Sequence, residues 1–272
     1  MKKRLLLSVM LASSFGIAGC GGGHDAPSNS AGDQTAQTNT DTTPTPTAAT
    51  APFAKAQAAR YIWIGNGASV VGTLASLSQT ASGAVTVINN ISLTGEVAVN
   101  DVYGDTFFAM GRWAKGTVTS GDKTSVLDGV SNAAAHYVLV NDLAMLPTSG
   151  SYHCDSGKYT APTYIAGSKV PSSAYAGAST GSATLAFDTT GATAAISLQT
   201  SAGGSAGAAN STATIKSPSA TSVGSFISSQ PAGIEITLGD GGDGKVLIVA
   251  AYKTTLNNGA QYQGVGVFNC SM

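Results

Sequence analysis

Residues 181–200 read GSATLAFDTTGATAAISLQT. Apolar residues occur here at every second position, at Ala183, Leu185 and Phe187. The polar Thr184 lies between the first two. A period of two is typical of a β-strand that buries one face. The turn-forming residues 188–191 then lead into a second apolar-polar segment, so the stretch predicts an antiparallel hairpin.

The same pattern continues across residues 147–272. Eight strands are predicted there, at 149–154, 182–188, 193–199, 211–216, 223–228, 233–239, 245–253 and 262–270. Short connectors rich in Gly, Asn and Asp separate several of them, which favours an antiparallel up-and-down barrel or a sandwich. We expect the eight-stranded barrel. A barrel that spans the outer membrane is the rival, but it needs strands of about 9 to 11 residues, longer than most of these.

Residues 58–146 predict a second, more irregular β-rich region. Its aromatic residues are the candidates for contact with a ligand or with the barrel: Tyr61 and Trp63 share one face of the first predicted strand, and Arg112 precedes Trp113 in a second cluster. Large aromatic side chains usually pack in cores, and we expect the same here. The alternative is an exposed patch for a partner, because Trp, Tyr and Arg dominate binding hot spots.

The N-terminus has the features of a secretory signal. Basic residues at positions 2–4 precede an apolar run that is too short to remain as a membrane span. The run ends in Ile17-Ala18-Gly19-Cys20, which resembles the bacterial lipobox. The resemblance implies removal of residues 1–19, acylation of Cys20 with chains such as palmitate, and sorting to the outer membrane, since Gly21 and not Asp follows. Acyl chains would tether the protein to the membrane without embedding it; the alternative is a soluble secreted protein.

Residues 20–57 are predicted to form a disordered linker behind the lipidated cysteine. The segment is rich in Gly, Ser, Ala, Thr and Pro and cannot bury enough apolar surface to offset the entropy of ordering. Removal of residues 1–19 would leave 10 Lys plus Arg against 14 Asp plus Glu, a net charge of -4. Because no basic cluster remains, nucleic acid is a poor partner.

Cys154 and Cys270 remain once Cys20 is assigned to lipid. A pair of cysteines in an oxidising compartment predicts a disulfide, which would tie the last strand to the middle of the chain. Two buried free thiols are the alternative. Metal binding is less favoured, because His153 is the nearest further ligand and no second Cys-x-x-Cys or His-x-x-x-His motif exists.

Four segments, at 104–113, 136–138, 146–152 and 181–188, are similar to the transferrin-binding protein-like and factor H-binding-like surface lipoproteins of Gram-negative bacteria. The resemblance covers roughly residues 100–270. It implies a small N-terminal "handle" subdomain over 58–146, packed against an eight-stranded barrel over 147–272 and anchored by lipid. The chain has room for one such pair and its connectors are short and Gly/Ser-rich, so the resemblance transfers neither transferrin binding nor any ligand residue.

The sequence favours no catalysis, metal or cofactor. The run 239–244, Gly-Asp-Gly-Gly-Asp-Gly, is similar to a calcium-binding repeat, but it occurs once and is interpreted as a hairpin turn. His136 precedes a strand-like run and is expected to be packed, and the carboxylates Asp101 and Asp105 are expected to flank a turn. Without a Gly-x-Ser-x-Gly elbow or a base beside a nucleophile, an enzyme is a minor alternative.

The leading functional hypothesis is therefore a non-catalytic outer-membrane lipoprotein that binds a ligand, expected to be a protein, at the cell surface. The second is a structural or assembly lipoprotein that faces the periplasm. The third is a carrier that holds a small ligand inside the barrel, which requires an apolar cavity there.

Overall fold

The structure is a computed structural model, and it describes residues 49–65, 68–128, 133–222 and 232–272. The predicted signal segment, Cys20 and most of the predicted linker lie outside these residues, as does the predicted strand 223–228. The described residues fold almost entirely into antiparallel β-strands, which confirms the all-β prediction. Among them are one 3₁₀ helix, Ser172–Ala174, and no helix that is long and apolar enough to cross a membrane.

The N-terminal sheet has eight strands within the described residues. They are β1 Ala59–Gly65, β2 Ala68–Thr73, β3 Leu77–Gln79, β4 Val85–Ile88, β5 Ile91–Gly104, β6 Phe108–Ser120, β7 Lys123–Asp128 and β8 Ala135–Asn141. Their order is β2-β1-β8-β6-β5-β4-β3, and β7 pairs with the distal half of β6 while β8 pairs with its first half. The irregularity expected for this region takes the form of register shifts in the strand pairing, three of which lie between β5 and β6.

Both faces of the N-terminal sheet are buried where β1 and β8 run side by side. Every residue of β1 (ARYIWIG) and of β8 (AHYVLVN) is buried. On one face the sheet curls over its own core, in which Trp113 contacts Trp63 and Tyr137. The other face packs on the C-terminal sheet.

The C-terminal sheet has ten strands within the described residues. They are β9 Gly150–Cys154, β10 Lys158–Tyr159, β11 Thr163–Gly167, β12 Ala178–Asp188, β13 Gly191–Ala202, β14 Ser205–Ile215, β15 Thr221–Ser222, β16 Gly233–Asp240, β17 Val246–Thr255 and β18 Ala260–Ser271. Their order is β14-β13-β12-β9-β18-β17-β16-β15, and β10 and β11 also pair with β18. The interrupted strand β9-β10-β11 therefore runs along one edge of β18.

The C-terminal sheet curls around a core filled by side chains. Alternate residues of its long strands contribute to this core, among them Leu185, Phe187, Ile236 and Ile248. Two glycines of β18 make room for the tyrosines inside: a Cβ added at Gly264 would lie 2.5 Å from Tyr252 Oη, and one at Gly266 would lie 2.7 Å from Tyr159 Cδ1. The two tyrosines therefore occupy the space beside these glycines.

The two sheets meet through a continuous apolar interface. Alternate residues of β1, β6 and β8 pack on the outer face of β17 and β18, and the buried set is Ile62, Ile64, Phe108, Met110, Val138, Val140, Leu247, Val249, Ala251, Val265 and Val267. Polar contacts lie at its two ends. Arg60 joins β1 to β16 at one end, and His136 joins β8 to the chain around β11 at the other. The N-terminal and C-terminal sheets are thus packed against each other.

Candidate functional site

Two adjoining cavities lie where the N-terminal sheet meets the C-terminal sheet. Their volumes are about 280 and 300 Å³, and Tyr103 and Lys158 line both of them. We call the two cavities together the intersheet groove. The first also contains Asp105, Phe108, Asp155, Val267 and Asn269, and the second contains Asp101, Tyr159, Gly177, Ala178 and Ser179. Grooves between packed units are common places for ligand sites.

Another depression, of about 410 Å³, lies on the outer face of β12–β14. It is lined by small and neutral polar residues such as Ser182, Thr184, Ser197 and Thr212. It is more open than the first groove cavity and its lining contains neither a charge nor an aromatic ring. The intersheet groove combines both kinds of group with partly buried walls, so it is the better candidate site.

Asp101 fixes one wall of the intersheet groove. Its Oδ2 accepts hydrogen bonds from Arg112 Nε at 2.6 Å and from the Ala161 backbone N–H at 3.0 Å, which ties β5 to the chain after β10. Asp101 has a φ of 53°, in the left-handed region that favours glycine. Such a conformation costs on the order of 1 kcal/mol or more and is held only by strong local contacts. The two hydrogen bonds hold the carboxylate between β5 and the chain after β10.

The first cavity combines an apolar floor with charged groups at its mouth. Phe108 and Val267 are buried beneath it, and Lys158 is exposed. Asp105 Oδ1 accepts the Phe107 N–H at 2.7 Å, and Asp155 Oδ1 accepts the Gly157 N–H at 2.9 Å. These two carboxylates therefore stabilise turns, whereas Lys158 makes no ion pair within the described part of the chain.

Tyr103 separates the two cavities. Burial, and then the negative charge of Asp101, raises the pKa of the Tyr103 phenol. The phenol is thus a neutral donor and acceptor at any ordinary pH. Together with Lys158 it offers the groove one aromatic face, one hydroxyl and one cation. This combination suits the recognition of polar, partly apolar ligands more than chemistry on them.

Arg112, one of the four contact candidates, lies beside this groove. It pairs with Asp101 and is directly opposite His136 on β8. Through Asp101 it supports a contact between the two sheets. Asp101 lies inside β5 and does not flank a turn as expected, because a register shift between Asn100 and Tyr103 keeps the strand running past it. Asp105 does lie next to the turn between β5 and β6.

The other three candidates lie in the core of the N-terminal sheet. Tyr61, Trp63 and Trp113 are all buried, and Trp113 is completely inaccessible. Trp113 Nε1 donates to the Val85 carbonyl at 2.7 Å, and the Val85 N–H donates to Tyr137 Oη at 3.0 Å. Trp113 and Tyr137 thereby hold β4 over the core. They do not belong to the intersheet groove or to the apolar interface between the sheets.

His136 is packed, as the sequence predicts. It is fully buried, with Nδ1 2.7 Å from Thr160 Oγ1 and Nε2 2.9 Å from Thr163 Oγ1. Burial, and then the positive charge of Arg112, lowers the pKa of the imidazole well below its ordinary value. A neutral imidazole held by two hydroxyls, with no nucleophile beside it apart from these threonines, fits a structural role.

The predicted disulfide between Cys154 and Cys270 is present. The two residues are directly opposite each other on β9 and β18, 116 residues apart in sequence. Cys270 is fully buried in the core of the C-terminal sheet. The bond therefore fixes the seam at which the end of β18 meets the start of the sheet.

Within the run 239–244, Gly239 and Asp240 end β16, and residues 241–244 lie in the hairpin turn that leads to β17. Asp240 Oδ1 accepts the Gly242 N–H at 2.9 Å, and Gly242, Asp243 and Gly244 have positive φ angles. The described residues hold no group of three or more His, Cys, Asp or Glu side chains that could bind a metal ion. The turn thus uses its aspartates and glycines for backbone geometry.

The fold and the groove define a class only at the level of two packed antiparallel β-sheets with a site between them. No protein-family model matches the chain, and no curated protein matches its sequence.

Proposed function

We propose that this chain is a lipid-anchored, non-catalytic binding protein of the outer membrane, whose ligand is a protein. In this proposal residues 1–19 are a signal peptide, Cys20 carries the acyl chains, and 20–57 are a stalk that holds the folded part away from the membrane. The features that support it are the lipobox-like residues 17–20 and the linker composition.

We also propose that the C-terminal sheet is an eight-stranded up-and-down barrel and the N-terminal sheet its handle, as in the surface lipoproteins that the sequence resembles. The strand order supports this, because β9 bridges the consecutive strands β12–β14 and β15–β18. Contacts of β14 with β15, β16 and β17 would close the circle. The outward packing of β17 and β18 on the N-terminal sheet gives the handle its place.

The observation that carries the binding proposal is the intersheet groove. It lies between two sheets that are held together by an apolar interface, so its walls are preorganised and binding needs little ordering of the protein. Tyr103 and Lys158 provide adaptable polar contacts beside an apolar floor. The filled core of the C-terminal sheet disfavours the small-ligand carrier. A periplasmic scaffold remains the second candidate, because the same groove could serve a partner there.

Protease treatment of intact cells separates these two candidates. The folded part is expected to be cleaved while a periplasmic control protein survives, and the purified protein must be cleaved under the same conditions. Protection on intact cells would instead favour the periplasmic scaffold. A Cys20→Ser variant is expected to lose labelling by a palmitate analogue and to leave the membrane fraction; a variant that stays labelled and membrane-bound would contradict the lipid assignment.

A further inference from the structure

One edge of β12 is only partly paired. β12 pairs with β13 along its whole length, but it pairs with β9 only from Thr184 to Phe187. At its start, the Gly177 N–H donates to the Pro162 carbonyl at 2.8 Å. Between these points, residues 178–182 pair with no described residue on the side away from β13, whereas the pairing of Thr184 with His153 occupies the Ala183 carbonyl. This unpaired edge spans about 14 Å at 3.4 Å per residue.

The direction of the backbone groups follows from strand geometry. Successive residues of a strand direct their N–H and C=O groups to opposite sides. Because the Gly177 N–H points away from β13, Ser179, Gly181 and Ala183 must point the same way. Three N–H groups and the two C=O groups of Ser179 and Gly181 therefore face the gap, while the residues between them bond to β13.

The gap opens into the intersheet groove. The second cavity of the groove lies against Gly177, Ala178 and Ser179, and its opposite wall carries Asp101 and Tyr103. Since Gly, Ala and Ser have the smallest side chains, the backbone of β12 is accessible from the groove. On the inner side, Tyr159 fills the gap: Cβ atoms added at Gly181 and Gly266 would lie 3.0 Å and 2.7 Å from its ring or hydroxyl. Tyr159 Oη donates to the Ser156 carbonyl, and so leaves the β12 backbone unpaired.

We propose that the edge of β12 binds an extended peptide segment of the ligand by β-strand addition, with the segment lying in the intersheet groove. An array of alternating backbone donors and acceptors is complementary to another peptide backbone above all other ligands. The groove supplies the space, and Lys158 and Tyr103 lie where they would contact the side chains of the added segment. This inference rests on the proposed function, since it assigns the ligand chemistry of the same groove.

The test selects a random hexapeptide library on phage against the full-length protein with its disulfide intact. Three variants then distinguish the possible outcomes. Ala178→Trp fills the groove from an exposed position. Ser179→Pro removes both the side-chain hydroxyl and the N–H that faces the gap, whereas the control Ser179→Ala removes the hydroxyl and keeps the N–H. Thermal melts check that all variants are folded.

Enriched peptides are expected to lose at least tenfold in affinity with Ala178→Trp and with Ser179→Pro, and less than threefold with Ser179→Ala. Methylation of the peptide backbone nitrogens is expected to weaken binding at every second position only. Enriched peptides that no longer bind the Ala178→Trp variant, and yet keep their affinity with Ser179→Pro and after methylation, would overturn strand addition. That result would leave binding in the groove intact. A library in which no enriched peptide loses affinity for the Ala178→Trp variant would overturn both strand addition and binding in the groove. A dimer that Ser179→Pro converts to a monomer would assign the edge to a second copy of the chain, also against the proposal.

Discussion

Replacing Arg60 by Met is expected to loosen the contact between the two sheets. The guanidinium of Arg60 pairs with Asp142 on its own sheet. It also donates to Thr237 Oγ1 at 2.6 Å and to the Leu238 carbonyl at 2.7 Å on the C-terminal sheet. A further bond reaches the Pro218 carbonyl at 2.7 Å. The side chains of Arg60 and Asp142 are only 8% and 13% exposed, so water cannot replace these bonds fully.

The magnitude follows from this burial. Removing one partner of a buried ion pair leaves the other charge uncompensated and costs about 3–5 kcal/mol. For a folded part of this size, that corresponds to a fall in Tm of roughly 6–20 °C. Lys115→Met is the matched control, because the Lys115–Glu96 pair has a similar short distance, 2.6 Å, but side chains that are 46% and 85% exposed. Its effect is expected to stay within about 0.5 kcal/mol.

Guanidinium unfolding with two probes measures the effect. Both tryptophans of the chain, Trp63 and Trp113, lie in the N-terminal sheet, so fluorescence reports on that sheet and far-UV circular dichroism on both. Coincident transitions are expected for the natural protein, with a lower midpoint for Arg60→Met. A second change, Asp142→Leu, is expected to recover part of the loss by removing the stranded charge. The reasoning is refuted if Arg60→Met destabilises the protein no more than Lys115→Met.

Three further predictions concern titration and the disulfide. Because the pKa of His136 is lowered in the folded protein, the unfolded chain binds more protons below about pH 6.5. The free energy of unfolding is therefore expected to fall as the pH drops below that value. A His136→Gln variant, measured by denaturation at several pH values, should lose this dependence. Burial raises the pKa of Glu235 from 4.5 to about 7. The contribution of its protonated carboxyl group to stability is therefore fully present below about pH 4.5 and is lost as the pH rises to 7. Glu235→Gln should remove this loss of stability, and an unchanged dependence of the free energy of unfolding on pH would contradict the assignment. Reduction of Cys154–Cys270, which closes a segment of 116 residues, is expected to lower the free energy of unfolding by about 4–5 kcal/mol, and a loss below about 1 kcal/mol in denaturation with and without reductant would contradict it.

Strands β12 and β13 could be predicted from the sequence because each buries only one face. Leu185 and Phe187 point into the core and Thr184 is exposed, as their alternation indicates. The predicted strand 233–239 matches β16 to within one residue, since turn residues bound it at both ends. The predicted strand 193–199 is shorter than β13, Gly191–Ala202, because small and polar residues at its ends carry little hydrophobic signal.

The N-terminal sheet was harder to predict because its central strands are buried on both faces. In β1 and β8 the alternation is replaced by continuous burial, so the sequence does not show which residues face the second sheet. Tyr61 and Trp63 therefore could not be assigned to the inner core in advance. Bulges in the pairing of β5 with β6 also interrupt the period of two along this strand of 14 residues.

The intersheet groove could not be predicted from the sequence. Its walls come from residues that are far apart in the chain, such as Tyr103, Lys158 and Ser179, and only the packing of the two sheets brings them together. No local motif marks them. Asp101 was recognised as a carboxylate near Asp105, but its left-handed conformation and its bond to the Ala161 N–H depend on tertiary contacts. The disulfide, in contrast, is predicted from the two cysteines that remain after Cys20 and from the oxidising compartment that the N-terminal signal implies.

Labelling of one cysteine in the groove on living cells tests the central claim most directly. Lys158→Cys places a thiol at an exposed position of the intersheet groove, and Cys154 and Cys270 are bonded to each other and do not react. A membrane-impermeant maleimide is expected to label this variant on intact cells and to leave the natural protein and a periplasmic cysteine control unlabelled. Labelling that appears only after the outer membrane is permeabilised would contradict a groove that faces a ligand outside the cell.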